Sequence, residues 1–363
     1  MFFQKNKSNF KNINFFTFQF NDLSLKKYCY FLFYYIFSTV LYSQNILTYP
    51  VKNKSFQWYM NTEIEPYIFQ NKESSFFIGE NNLEIYYEKY TKNTNNKAIV
   101  ISHGFTEYIE KYHELIFYFL KNNYNVYIME HRGHGRSGRL GIDNMQVEVE
   151  DYNYYVSDFK KFIDEVVLKE NKTLYLYAHS MGGAIGALFL QRYPDYFEKA
   201  VLSSPMMTMK FGKLPNFFAK LFIKTKNKFT LGRSYAPSTG SSIDKYDFEK
   251  SSSSSLNRYD YYYLLLKEDS TIQLGGPSIH WVNEMLDLTK EINEKENIKK
   301  VKIPILLFQS ENDKLVKKRG QNKFAKYSNN TDLILVNNAK HELYRENDEI
   351  LFPYLDTVLD FFK

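Results

Sequence analysis

Leu174-Tyr-Leu-Tyr-Ala-His-Ser-Met-Gly-Gly-Ala184 decides how the chain is read. Leu174 to Ala178 is a short apolar, aromatic-rich run of the kind that forms a buried strand. From Gly182 the pattern changes to small residues, Gly182, Gly183, Ala184, Gly186 and Ala187, and then to Leu188, Phe189 and Leu190 in helix-like order. Strand, sharp turn, serine, glycines and helix is the context in which a small-x-Ser-x-Gly pattern acquires chemical meaning. Its serine, Ser180, sits on a strained elbow that lifts the hydroxyl clear of the backbone. The small residues two before and two after it, Ala178 and Gly182, let strand and helix pass closely.

Outward from this elbow, strand-like and helix-like stretches alternate. Phe76 to Gly79 and Leu83 to Tyr90 read as strands flanking a Gly-Glu-Asn-Asn turn. Ala98 to Ser102 is a buried strand ending in His103-Gly-Phe-Thr-Glu107, and Asn125 to Met129 is another, running into Glu130-His-Arg-Gly-His-Gly-Arg-Ser-Gly138. Tyr112, Leu115, Ile116 and Phe119 mark one helix face, and Tyr152 through Val167 a longer one. Ala200 to Leu202 closes this half. Alternation predicts a mostly parallel sheet covered by helices on both faces, whose site forms at the carboxyl ends of the strands. It stops between Met206 and Ile298, where helical patterns and the Ser251 to Ser255 run predict a helical cap, and resumes with Ile303 to Gln309, Leu333 to Val336 and a final amphipathic helix. The expected organisation is a core in two parts, 75–205 and 299–363, around a cap at 206–298, with 45–74 as a linker.

Composition narrows the function. Of 363 residues, 44% are hydrophobic, enough for a large core. A net charge of +6 is too small and dispersed to point to nucleic acid, though it permits attraction to anionic membrane. Cys29 is the single cysteine, which excludes an intrachain disulfide and a cysteine zinc site. His131 and His134, with His103 at the same sheet edge, lack the ligand spacing of a metal site, and no metal or cofactor is expected. Tyr28 to Tyr42, an apolar run preceded by Lys26 and Lys27, is shorter than the roughly 20 residues of a membrane span. Residues 1–44 therefore read as a signal peptide or a membrane anchor, and the protein as exported or membrane-associated.

A serine hydroxyl needs a base to become nucleophilic, normally a histidine held in one tautomer by a buried carboxylate. The expected chain order is Ser, acid, His. Beyond Ser180 the candidates for the base are His280, inside the cap, and His341, after a strand. His341 is favoured. The carboxyl end of the strand through Phe308 offers Asp313, with Glu311 in reserve, whereas Asp332 opens a strand. The backbone N–H groups of Met181 and Phe105 are the expected donors to a developing oxyanion. His179 reads as a packing residue of the elbow.

These residues together resemble a known family. His103-Gly-Phe-Thr-Glu107, Glu130 to Gly138, Ala178-His-Ser-Met-Gly-Gly183, Asp313 and Lys340-His-Glu-Leu343 look like the α/β-hydrolase lysophospholipases and monoglyceride lipases. Gly275-Gly-Pro-Ser-Ile-His-Trp281, inside the cap, strengthens the likeness, which runs from about residue 75 to 363. The resemblance implies a serine hydrolase of single-chain glycerolipids, with Ser180, Asp313 and His341 as triad, and a lysophospholipase or monoacylglycerol lipase activity without cofactor. An epoxide hydrolase or dehalogenase of the same fold would carry an acid in place of Ser180, and a non-catalytic relative would lack a triad member. In the cap, Leu214, Phe217, Phe218, Leu221 and Phe222 form an apolar stripe among Lys213, Lys220, Lys224, Lys226 and Lys228, a pattern suited equally to packing on its own domain and to lying on a bilayer.

Overall fold

The computed structural model describes residues 55–92, 96–210, 223–225, 232–243 and 245–363. The apolar run at 28–42 and the cap stripe at 214–222 lie outside these residues. Eight strands form one sheet: β1 (Lys72–Ile78), β2 (Glu84–Tyr90), β3 (Lys97–Ser102), β4 (Asn125–Met129), β5 (Thr173–His179), β6 (Lys199–Ser203), β7 (Ile305–Ser310) and β8 (Thr331–Val336), in the order β1-β2-β4-β3-β5-β6-β7-β8. β1 pairs antiparallel with β2 and β2 with β4, and all later neighbours are parallel.

The central strand shows why the sheet is covered on both faces. In β5 every residue after Thr173 is buried. Leu174, Leu176 and Ala178 join a core cluster with Phe159, Ile185 and Phe189. Tyr175 and Tyr177 face the other way, against Phe362 and Phe119. The two-residue period of a strand thus feeds two helical layers. One is α2 (Asn153–Phe162) with α3 (Ser180–Arg192). The other is α1 (His113–Lys121) with α6 (Asp348–Phe362).

Between β6 and β7 the described chain adds no strand to the sheet and carries α4 (Leu256–Glu268) and α5 (Ile279–Ile292). Ser255 and Ser278 cap these helices, accepting the N–H of Arg258 and of Trp281. The serine run is a seam between cap and core. Ser253 Oγ–H donates to the Arg345 carbonyl, the Ser254 N–H to the Glu346 carboxylate, and the Glu342 N–H to the Ser252 carbonyl. Arg258 of α4 crosses to the buried Glu114 of α1 with two contacts at 2.7 Å.

Of the expected linker at 45–74, the structure describes residues 55–74, and there it is corrected. Phe56–Tyr59, Met60–Ile64 and Glu65–Gln70 are consecutive helical stretches, and β1 begins at Lys72. Met60, Ile64 and Ile68 are buried at a spacing of four, so a narrow apolar edge among polar residues holds this segment down. Glu65 receives the imidazole Nδ1–H of His113 at 2.9 Å, and Phe56 packs edge-on to Tyr261 of the cap.

Candidate active site

Ser180 has φ of +52°, in the left-handed region that non-glycine residues avoid. Two things hold it there. The Met206 N–H donates to the Ser180 carbonyl at 2.8 Å. Gly182 passes so close to β3 that a Cβ would stand 2.1 Å from the Ser102 carbonyl oxygen. The small residue at 182 is therefore a condition of the elbow.

At the ends of β7 and β8 the chain delivers an acid and an imidazole to the same spot. His341 Nε2 lies 2.8 Å from Ser180 Oγ, and His341 Nδ1–H donates to Asp313 Oδ2 at 2.7 Å. Asp313 Oδ1 accepts the N–H groups of Leu315 and Val316 at 2.8 and 3.0 Å, which aims the other oxygen at the ring. Burial pushes the Asp313 carboxyl up, but the His341 hydrogen bond and charge, with these two amides, bring it below its usual range. All three side chains are almost fully shielded from water. An imidazole fixed in this way presents an unprotonated Nε2 to the hydroxyl and can take its proton.

The alternatives fall elsewhere. His280 turns to the Glu150 carbonyl. Glu311 accepts the Asn338 N–H, and Asp332 is exposed at the start of β8. His179 places Nδ1 3.1 Å from the Ser203 carbonyl, with its ring 4.9 Å from that of His341.

Phe105 and Met181 flank Ser180, at the end of β3 and in the first turn of α3. Their loop is set by residues with no role assigned from sequence. Glu107, buried, accepts the Gly104 N–H at 2.5 Å, the Tyr112 and Tyr344 hydroxyls at 2.5 and 2.7 Å, and Lys111 at 3.2 Å. Burial raises its carboxyl, yet Lys111 and the hydroxyl donors hold it well below the ordinary value. On the other side of the loop His103 Nδ1–H donates to the Gly104 carbonyl, and its Nε2 accepts the His131 N–H at 2.8 Å. Burial depresses His103 and His179 to about 4 and His131 and His134 further, so these imidazoles are neutral wedges. Among the described residues no group of three His, Cys, Asp or Glu side chains is arranged to hold a metal ion. The Gly275 to Trp281 stretch packs along residues 145–147 and sets Trp281 4.5 Å from the Phe105 ring.

A cavity of about 580 Å³ opens on Ser180 and His341 and extends under α4 to Tyr262 and Arg345. Its existence could not be read from any local pattern, because its walls come from segments more than 200 residues apart. The one signal was Glu107, the carboxylate that closes the His103–Glu107 stretch following β3.

This sheet order, with a nucleophile elbow after the fifth strand and acid and imidazole on later strand-end loops, defines an α/β-hydrolase. The chain belongs to the Hydrolase_4 family, described as "Serine aminopeptidase, S33", whose model matches residues 93–348. It is similar to Lysophospholipase L2 of Escherichia coli K12, at 28% identity over 304 residues, covering 81% of this chain and 88% of that one. The mouse Monoglyceride lipase is 28% identical over 272 residues, 73% and 82% of the two chains. Among solved structures, a soluble variant of monoglyceride lipase from Saccharomyces cerevisiae superposes with a TM-score of 0.64 at 18% identity, over 87% of this chain and 98% of that one, which speaks for the fold.

Proposed function

We propose that the protein is a serine hydrolase that cleaves the acyl ester of lysophospholipids through an acyl-enzyme. The observation that carries this is the contact of 2.8 Å between Ser180 Oγ and His341 Nε2, backed by Asp313, at the wall of a cavity. Ser180 attacks the ester carbonyl as His341 takes its proton. The oxyanion of the tetrahedral intermediate receives the N–H groups of Phe105 and Met181. His341 then gives the proton to the glycerol oxygen, which leaves, and Ser180 keeps the acyl group. Water, deprotonated by the same imidazole, releases the fatty acid. No metal or cofactor enters the scheme.

An amide would react by the same steps, but the relatives that span most of the chain are named for lipid esters, which favours the ester. Those relatives also support a second reading, a monoacylglycerol lipase, because the acyl-transfer apparatus is common to both. Turnover of lysophosphatidylcholine and of monoolein in matched mixed micelles separates them. A higher kcat/KM on the lysophospholipid is expected, and the reverse preference would assign the protein to the monoglycerides.

The apolar run at 28–42 and the cap stripe with its lysines favour work at a lipid surface, at the cell envelope. Phe217→Glu combined with Phe218→Glu should weaken vesicle binding and activity on lipid together, and unchanged values would contradict surface docking.

A further inference from the structure

We propose that the α4 side of the Ser180 cavity is a head-group subsite that recognises a phosphodiester. This rests on the lysophospholipid reading above and assigns its specificity to particular side chains.

The α4 side of the cavity mixes aromatic rings, Tyr108, Tyr259, Tyr262 and Tyr263, with charged side chains. Among the described lining residues, four cationic side chains, Lys111, Lys245, Lys250 and Arg345, stand against three carboxylates, Glu107, Asp247 and Glu342. The charges are unevenly matched. Lys111 lies between Glu107 and Glu342, Arg345 pairs with Glu342, and Lys250 pairs with Asp247 at 2.5 Å. Lys245, exposed at the cavity rim, has no carboxylate partner among the described residues. The described lining thus carries one cation in excess, which a phosphodiester monoanion would neutralise.

A second, independent observation lies deeper in the same wall. Arg345 Nε and the Tyr262 hydroxyl are buried without a hydrogen-bond partner among the described residues, with Tyr262 2% and Arg345 6% exposed. The two side chains are stacked, the guanidinium 4.6 Å from the ring centroid. Unmet buried donors are costly, so two neighbouring ones ask for an acceptor from outside the described chain. Phosphate oxygens provide several acceptors on one centre, and a guanidinium edge suits them. A monoglyceride offers only hydroxyls and leaves the excess cation unmatched. Sites built around such donors reject the analogue that lacks the acceptor.

The test compares kcat/KM on lysophosphatidylcholine with that on monoolein in the same micelles, for wild type, Lys245→Glu and Tyr262→Phe. Lys245 is exposed, so its substitution leaves the fold intact even if Tyr262→Phe perturbs packing. The ratio of the two values is expected to fall at least tenfold in Lys245→Glu and at least threefold in Tyr262→Phe. In a parallel assay on p-nitrophenyl butyrate, glycerophosphocholine should compete, with a Ki at least fivefold weaker for Lys245→Glu. A wild type active on both lipids whose ratio stays within twofold in both variants would overturn the subsite alone. Inorganic phosphate competing as well as glycerophosphocholine would overturn it in favour of a plain anion site. A wild type inert on every ester would overturn the hydrolase reading itself.

Discussion

The Glu107 carboxylate accepts the Gly104 amide at 2.5 Å, and this bond ties the turn after β3 to a buried cluster that also contains Lys111 and Tyr344. Tyr344 lies three residues after His341, so one carboxylate braces both the loop of the proposed oxyanion donor and the loop of the proposed base. Glu107→Gln keeps the shape but removes the charge facing Lys111 and replaces an acceptor with a donor. A loss of about 3–5 kcal/mol is expected in denaturant unfolding, the usual result of removing one partner of a buried pair. The kcat should fall more than KM changes. Wild-type stability and kcat in this variant would show that the cluster does not hold the site.

Closeness at the elbow makes a sharp contrast between two glycines. Gly182→Ala places a methyl 2.1 Å from a backbone oxygen, which cannot yield without moving α3 off β3. Gly186→Ala meets only the side chains of Ala178 and Leu176 at 3.1 Å. The first should abolish activity or soluble expression. The second should cost no more than about 1–2 kcal/mol, as mild overpacking does. Parallel purification and esterase assays give the comparison, and an active Gly182→Ala enzyme would contradict the elbow geometry.

The oxyanion role of Phe105 belongs to its backbone, so Phe105→Leu and Phe105→Pro should differ. Leucine keeps the N–H and proline removes it. Loss of one such donor costs about 3 kcal/mol, or roughly 10²-fold in kcat. The expected order is a mild effect for leucine and a drop near that size for proline. Equal kcat in the two variants would place the donor elsewhere.

Neutral imidazoles packed around the site make the fold sensitive to acid. His103 and His179 are depressed from the ordinary value near 6.5 to about 4. The unfolded chain therefore binds protons first as pH falls. Their contribution is fully present above about pH 6.5 and is lost progressively towards pH 4, at about 1.4 kcal/mol per pH unit for each group in that window. Urea unfolding between pH 7.5 and 4.5 should show this decline, and His103→Asn should be shallower by up to one proton. An unchanged slope in the variant would exclude His103 as a source.

What the sequence made legible was local. The apolar run ending at Ala178, the glycines after Ser180 and the strands before His103 and Asp313 each carry their own periodicity, and strand ends converge by the rule of parallel sheets. The expected placement of Ser180, Asp313 and His341 needed only chain order and those strand ends. The segment 56–70 was missed because its buried edge is one residue wide, with polar residues on both sides of Met60, Ile64 and Ile68. Glu107 stood within a quoted motif, but its partner Tyr344 comes from a segment 237 residues on, and no spacing announces that it joins Lys111 and Tyr112 there. The cavity wall of Tyr262 and Arg345 is hidden for the same reason.

The central claim is that His341 and Asp313 make Ser180 an active nucleophile. A fluorophosphonate probe reacts with such a serine, and mass spectrometry locates the adduct. The account predicts one adduct on wild-type protein at Ser180, none on Ser180→Ala, and strongly slowed labelling of His341→Ala. Undiminished labelling of the Ser180→Ala variant, or a folded wild type that takes no label, would contradict it.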